Sequence, residues 1–307
     1  MKTKSSIRRT VLSTAAVLFI VLLSACQSMA AGTGVLAQTA GDFGIIDQGT
    51  ADTIVSAADA WSKAQEEITP SQEYYIGRAV GANILTNYTI YKGAPALTAY
   101  LNKICNAIVI NSPKPELYAG YHVAILDSPE INAFSTSGGH IFVTRGLIGV
   151  ATSEDTLAAV LAHEVAHVQL QHSIKSIKSS RFANAVVETA NAASTAATGT
   201  QLKELTETFG VSVDEAVNAL NNGYSQTQEY DADTLALSLM ASAGYDPASL
   251  VTMLTSLREK QGNQTGSGFG KTHPSPERRI ASVNKTLPSY KVEDTKSFRT
   301  ARYKAAL

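Results

Sequence analysis

Apolar residues recur at helical spacing from Thr50 onward, with Ile54, Ala58, Trp61 and Ile68 on one face. Thr69-Pro70-Ser71 is a helix-start signal and predicts a helix over Tyr74 to Leu85. A further helix is predicted from Pro95 to Ile110, where Leu97, Leu101, Ile104 and Ile108 share a face. The period then changes. Residues 118–126 alternate and are β-prone, so they predict a strand; Gly138-Gly139 predicts a turn, and His140 to Thr144 a second short strand. Next, Thr152-Ser153-Glu154-Asp155 supplies an N-cap with acids in the first turn. Leu157, Val160, Leu161, Val165 and Val168 extend that helix to about Lys178, apolar through its middle as a buried helix should be.

The second half is also helical. Residues 183–200 are dominated by Ala, Thr and Ser, and fit either a helix with a small-residue face or a loop. Val213 to Asn221 reads as a short helix. Ser225 to Ala243 reads as a strong one, ended by Gly244 and Pro247. Further helices are predicted over Pro247 to Lys260 and Pro276 to Leu287, with a Gly-rich loop at 262–271 between them. There is no internal repeat. Many helices with a few strands predict an α+β fold, mainly helical with a small β-sheet.

Length and composition sharpen this. The chain has 307 residues, which suits one sizeable domain or two small ones. A formal net charge of −1 gives no basic field for nucleic acid. Residues 1–26 read as a leader. Lys2, Lys4, Arg8 and Arg9 precede an apolar run, Val11 to Leu23, that is too short to span a bilayer comfortably. Leu23-Ser24-Ala25-Cys26 resembles a bacterial lipobox, in which Cys26 is lipidated; the alternative is an ordinary cleavable signal peptide. Gln27 after the cysteine, where aspartate would retain a lipoprotein in the inner membrane, points to the outer membrane of a two-membrane cell. Residues 27–49, rich in small residues, read as a flexible tether, residues 50–290 as the folded domain and 291–307 as a decorated tail. With Cys26 lipidated, Cys105 is left alone in an apolar helical pattern and reads as a small buried hydrophobe.

The candidate chemistry lies in His163-Glu164-Val165-Ala166-His167. Two histidines four apart on a helix share a face and reach one metal ion. Glu164 stands about 100° round the helix from His163, beside the metal, where a general base belongs. Two neutral imidazoles suit Zn²⁺ with an open coordination position. With 6 His and 15 Glu in the chain, chance yields about 0.006 such patterns. A third ligand is available downstream. Glu229 and Asp233 are also four apart on a helix, so one carboxylate can ligate while the other orients a ligand histidine. His172 falls on the far side of a straight helix from His163 and is expected to be exposed. His122 reads as structural, and His140 either as cleft lining or as exposed.

These motifs resemble the HtpX-like family of gluzincin metallopeptidases, which includes the CAAX prenyl protease type, and most of all its soluble periplasmic lipoprotein members. The family's HExxH is matched by His163, Glu164 and His167, and its ExxAD by Glu229, Ala232 and Asp233. The likeness extends to Ser128-Pro129-Glu130-Ile131-Asn132-Ala133-Phe134, to Gly138-Gly139-His140-Ile141-Phe142-Val143, to Gly244-Tyr245-Asp246-Pro247, and to His273-Pro274 with Arg279-Ile280. It covers roughly residues 70–286, with the motifs in the family's order. Ser137 departs from a frequent proline, which touches only a local turn. The resemblance implies one zinc per chain on His163, His167 and Glu229, with Glu164 as general base and Asp233 orienting a ligand histidine. It implies an edge strand at His140 to Val143 that pairs with extended substrate. It also implies that His273 either caps the zinc at rest or, with Arg279, stabilises the oxyanion.

The reading that results is a lipid-anchored periplasmic endopeptidase acting on unfolded or misassembled envelope proteins. The alternative is an envelope quality-control chaperone or assembly factor with latent proteolysis. No further apolar run of about 20 residues is present for an intramembrane site.

Overall fold

The computed structural model describes residues 27–198, 223–261, 272–273, 276–290 and 296–307. The leader with Cys26, the helix expected at 213–221 and the loop at 262–271 lie outside the described residues. The chain divides into two units, one of residues 1–68 and 175–211, the other of 69–174 and 212–307.

In the first unit, α1 (Gln27–Asp42) and α2 (Gln48–Gln65) pack on each other. This corrects the expectation of a flexible tether over 27–49. The small residues that suggest a tether also allow close helix packing, and alanine is the best helix former. Gly34 lies against Ala58, and a Cβ on Gly41 would come within 2.7 Å of Ala51. Asp47 caps α2 by accepting from the Thr50 amide at 2.9 Å. Most of α7 (His172–Thr198) also belongs to this unit, which settles residues 183–198 as helix. There Phe182 meets Trp61 edge-on at 5.3 Å.

The second unit holds the chemistry. It opens with α3 (Pro70–Asn87), started by a capping box between Thr69 and Gln72, and α4 (Pro95–Ile110). Three short strands follow: β1 (His122–Leu126), β2 (Ala133–Thr136) and β3 (His140–Thr144). Their order is β1-β3-β2, with β1 parallel and β2 antiparallel to β3. So β3 is central, and His140 to Val143 is not the edge strand that the family resemblance implies. The edge next to the central helix is β2. It escapes pattern reading because all four of its residues are buried, which erases the alternation. The β2–β3 turn is built on Gly138, whose φ of +80° suits glycine and whose Cβ would meet Tyr74 Cα of α3 at 2.6 Å. A short helix, α5 (Arg145–Ile148), leads on to α6 (Glu154–Gln169).

Every residue of α6 is buried. It starts at a capping box between Ser153 and Thr156 and runs through the core against α4, β2, α8 (Gln226–Ser242) and α9 (Ala248–Gln261). Leu161, Val165 and Ala166 meet a core that includes Ile108, Ile141, Leu237, Met240 and Leu254. The helix does not run to Lys178. It ends at Gln169, and Gln171 takes a φ of +55°, the one described non-glycine residue in that region. A new helix axis, that of α7, then begins at His172.

Helix α10 (Pro276–Thr286) packs on α8 and α9, and α11 (Lys296–Ala306) docks on α4 and α6. The tail expected at 291–307 is therefore in part a packed helix. What docks it is charge. Glu154 and Asp155, acids of the first turn of α6, are buried. Arg299 bonds Asp155 Oδ2 through Nε at 2.9 Å and the Gly244 carbonyl through Nη1 at 2.9 Å. Arg302 pairs with Glu154, and Tyr303 donates to the Ala151 carbonyl at 2.7 Å. No described helix is long and apolar enough to cross a membrane.

Removing one partner of a buried ion pair leaves the other charge uncompensated. Arg299→Met is expected to cost about 3 kcal/mol, read from the urea midpoint. A variant that unfolds at the wild-type midpoint would show that the α11 contact adds nothing to stability.

Candidate metal centre

Helix α6 brings His163, Glu164 and His167 to one place, and α8 brings Glu229 and Asp233 to meet them. Spacing alone places the two imidazoles a turn apart, and their Nε2 atoms lie 3.0 Å from each other. Glu229 closes the group: Oε1 is 3.5 Å from His167 Nε2 and Oε2 is 3.6 Å from His163 Nε2. His273 enters through Nδ1, 2.9 Å from Glu229 Oε1 and 3.3 Å from His163 Nε2. One ligand atom from each of His163, His167, Glu229 and His273 falls within a 4.8 Å span. None of these residues, nor Glu164, Asp233 or Arg279, is more than 2% exposed.

This donor set fits a cation. Three imidazoles and a carboxylate converge on a single point, the nitrogen and oxygen chemistry that Zn²⁺ prefers. Glu164 is fully buried, and neither of its oxygens has a hydrogen-bond partner. His273 Nε2 lies 3.5 Å from its Oε1. An ionised carboxylate so placed is costly unless a positive charge stands beside it.

A second layer of charged side chains packs against the first. Asp233 Oδ1 lies 3.0 Å from His163 Nδ1. Arg279 of α10 forks onto Asp233, with Nε at 2.8 Å from Oδ2 and Nη2 at 2.7 Å from Oδ1, and its Nη1 lies 2.9 Å from Glu229 Oε2. Arg279, for which the family resemblance implies an oxyanion role with His273 as one alternative, is thus engaged with both carboxylates of α8, and its Nη2 also lies 3.2 Å from His163 Nδ1 and 3.4 Å from His163 Nε2. His172 departs from expectation. It is buried, and its Nδ1 lies 2.8 Å from His167 Nδ1. The straight-helix extrapolation failed at Gln171, where neither glycine nor proline announces the break. Tyr224, missed in the sequence, stacks on His167 with centroids 4.1 Å apart and planes 19° apart. Its only signal was an aromatic residue directly before the Ser225 cap.

Burial and charge set the protonation of these groups. Burial pushes the His167 pKa down to about 4, so its imidazole is neutral at pH 7. Burial alone would raise the carboxyls, but His273 and Arg279 hold Glu229 well below the usual range. Arg279, with His163, likewise holds Asp233 at about 2 against the pull of burial. For His273, burial favours the neutral ring, yet Glu229 and Glu164 raise its pKa.

Strand β2 flanks the group. Ser135, Thr136 and Ser137 share a small cavity with His167 and Tyr224. His140 lies apart from it, half-buried and stacked on Tyr74 with centroids 5.4 Å apart. His122 is exposed and bonds the Ala119 carbonyl at 2.8 Å. Cys105 is buried, and burial pushes its thiol up to about 12, which makes it inert.

The chain belongs to peptidase family M48, which it matches over residues 95–287. It is 33% identical over 198 residues to the mitochondrial metalloendopeptidase OMA1 of Schizosaccharomyces pombe, covering 64% of this chain and 55% of that protein. It is 25% identical over 260 residues to the beta-barrel assembly-enhancing protease of Escherichia coli, covering 81% and 50% respectively. It is 30% identical over 149 residues to the metalloprotease YcaL of the same organism, covering 48% and 56%. The chain thus spans about half the length of these curated relatives.

Asp233 titrates near 2 in the fold against an ordinary 3.8, so its pairing stabilises the fold fully above pH 3.8 and is lost as pH falls through 2. In metal-free protein, Asp233→Asn is expected to cost about 2 kcal/mol at neutral pH, with the deficit shrinking below pH of about 4. Urea unfolding at a series of pH values checks this; a deficit that persists undiminished in acid would contradict it. With metal restored, the same variant should bind it roughly 10- to 100-fold more weakly in a chelator competition.

Proposed function

We propose that this M48 family member is a zinc-dependent endopeptidase of the bacterial cell envelope, acting on unfolded or misassembled proteins. One observation carries the reading: His163, His167 and Glu229 converge in a buried cluster while Glu164, alongside, has both carboxylate oxygens unengaged by hydrogen bonds. Held by His163, His167 and Glu229, one zinc per chain would supply a Lewis acid that polarises the scissile carbonyl and acidifies water. The rest of the chemistry falls to side chains.

Glu164 takes one proton from the attacking water as the oxygen bonds to the carbonyl carbon. It returns that proton to the amide nitrogen as the C–N bond breaks, so the products are a carboxylic acid and an amine, and the acid's remaining proton passes to the amine to give carboxylate and ammonium. Asp233 keeps the proton of His163 on Nδ1, leaving Nε2 as a lone-pair donor. Arg279 holds both carboxylates of α8 ionised. His273, with Nδ1 among the ligand atoms and Nε2 toward Glu164, occupies the place that substrate needs, which favours the resting cap over an oxyanion role. β2 is the strand that offers its edge to an extended peptide, which suits unfolded chains better than folded ones. Anchoring by a lipid on Cys26, to the outer membrane and facing the periplasm, follows from the leader and from Gln27. The lipobox-like leader supports a reading within the soluble lipoprotein branch of its family.

The name of the beta-barrel assembly-enhancing relative favours a second reading, an assembly factor with latent proteolysis. Glu164→Gln separates the two. It is expected to lower the turnover of an unfolded protein by about 10²- to 10⁴-fold while zinc content stays at one per chain. Chelation should abolish cleavage by wild type. If envelope integrity in cells survives the variant although cleavage is lost, proteolysis is not the main function.

A further inference from the structure

We propose that His172 is a positioning residue for His167, fixing the tautomer and the rotation of that ring so that its Nε2 faces the ion. The inference rests on the zinc reading above and deepens it.

The geometry assigns the protons. His167 Nε2 points into the ligand cluster, 3.0 Å from His163 Nε2. To offer a lone pair there, the neutral ring must carry its hydrogen on Nδ1. Nδ1 lies 2.8 Å from His172 Nδ1. Two ring nitrogens at that distance share one hydrogen, so His172 accepts through Nδ1 and keeps its own proton on Nε2. A hydrogen bond in the ring plane fixes one rotation. The Tyr224 ring, parallel to His167 within 19° at 4.1 Å, blocks the swing out of that plane. Together the two neighbours leave His167 a single orientation.

The chain bends to achieve this. On an unbroken helix, residue 172 would lie about 140° round from residue 167 and point away from it. Instead α6 stops at Gln169, and Gln171 takes a φ of +55°. A non-glycine residue in the left-handed region costs about 1–2 kcal/mol. Anchors on both sides hold the break in place. The Gln171 side chain bonds Glu73 of α3, and Gln228 Nε2 donates to the His172 carbonyl at 3.3 Å. Gln228 directly precedes the ligand Glu229, so the first turn of α7 is tied to the helix that supplies the third ligand. The break returns His172 to the ligand it would otherwise miss.

The two imidazole ligands are therefore supported differently. His163 donates to a carboxylate, Asp233, and His167 to a neutral imidazole. A histidine that merely filled space would be replaceable by another ring.

The detergent-solubilised full chain is stripped of metal and titrated with Zn²⁺ against a chromophoric chelator. His172→Phe keeps a buried ring and removes the acceptor; His172→Asn keeps an acceptor near the Nδ1 position. The Phe variant is expected to bind zinc about 10- to 100-fold more weakly, and the Asn variant within a few-fold of wild type. Long-range ¹H–¹⁵N spectra of zinc-loaded wild type should show His167 protonated on Nδ1 and His172 protonated on Nε2, a readout that needs no variant to fold. Wild-type affinity in His172→Phe, whatever its melting temperature, would overturn the proposal. So would a wild-type His172 protonated on Nδ1. If wild type itself binds no zinc, the metallopeptidase reading fails, and that outcome is distinct from either.

Discussion

The centre of this protein depends on one fork. Arg279 reaches from α10 to Asp233 and Glu229, two carboxylates one helical turn apart on α8, in a buried polar cluster set against the apolar core. Each buried ion costs several kcal/mol to desolvate, about as much as a small domain has to spare. Glu229 and Asp233 are tolerable together because a guanidinium, which stays charged when buried, bridges them, with His273 as a further partner of Glu229. The fork also divides labour between the two acids. Asp233 receives two of its donors and faces His163 Nδ1 with the same oxygen that accepts Nη2. Glu229 is held by one oxygen and turns the other toward His167 and His273. One arginine thus leaves the first acid facing His163 and the second facing His167 and His273.

The same problem recurs at both ends of α6, the helix that bears the two imidazoles. At its start, Glu154 and Asp155 satisfy the positive end of the helix dipole but are buried, so they need cations; α11 supplies Arg302 and Arg299. At its end, His167 needs a partner for its outer nitrogen, and the chain turns sharply at Gln171 to bring one. A helix that is apolar in the middle and polar at each end cannot sit in a core alone. Its neighbours along the chain and in space are shaped by what its ends require.

This explains what could be read in the sequence. The cluster His163, Glu164, His167, Glu229 and Asp233 was visible because each set lies within one helix, where a spacing of four is a geometric statement. Helix starts at Ser153 and Ser225 were visible because capping is local. What escaped depends on relations across the chain. The partners of Arg279 sit on α8, some 46 residues earlier, so its fork onto Asp233 and Glu229 has no local signal. The small-residue stretch at 27–42 was read as a tether, since nothing local announces that α2 packs against it. β3 was expected at the edge because β2, wholly buried, shows no alternation. His172 was placed on the wrong side by assuming a straight helix, and the residue that bends it is an ordinary glutamine.

The position of His273 follows from the same electrostatics. Its Nε2 lies 3.5 Å from Glu164 Oε1, and its Nδ1 lies 2.9 Å from Glu229 Oε1. Both acids favour its protonated form, while burial favours the neutral one. A dication among the same ligands would reverse the balance, since two positive charges within a few ångströms repel strongly in so buried a place. With a cation held there, His273 would have to be neutral and serve as a fourth donor, or move away; without one, its ring lies beside both acids. Arg279 faces no such choice, because its charge is already matched by Asp233 and Glu229. The burden of accommodating a cation would therefore fall on one imidazole.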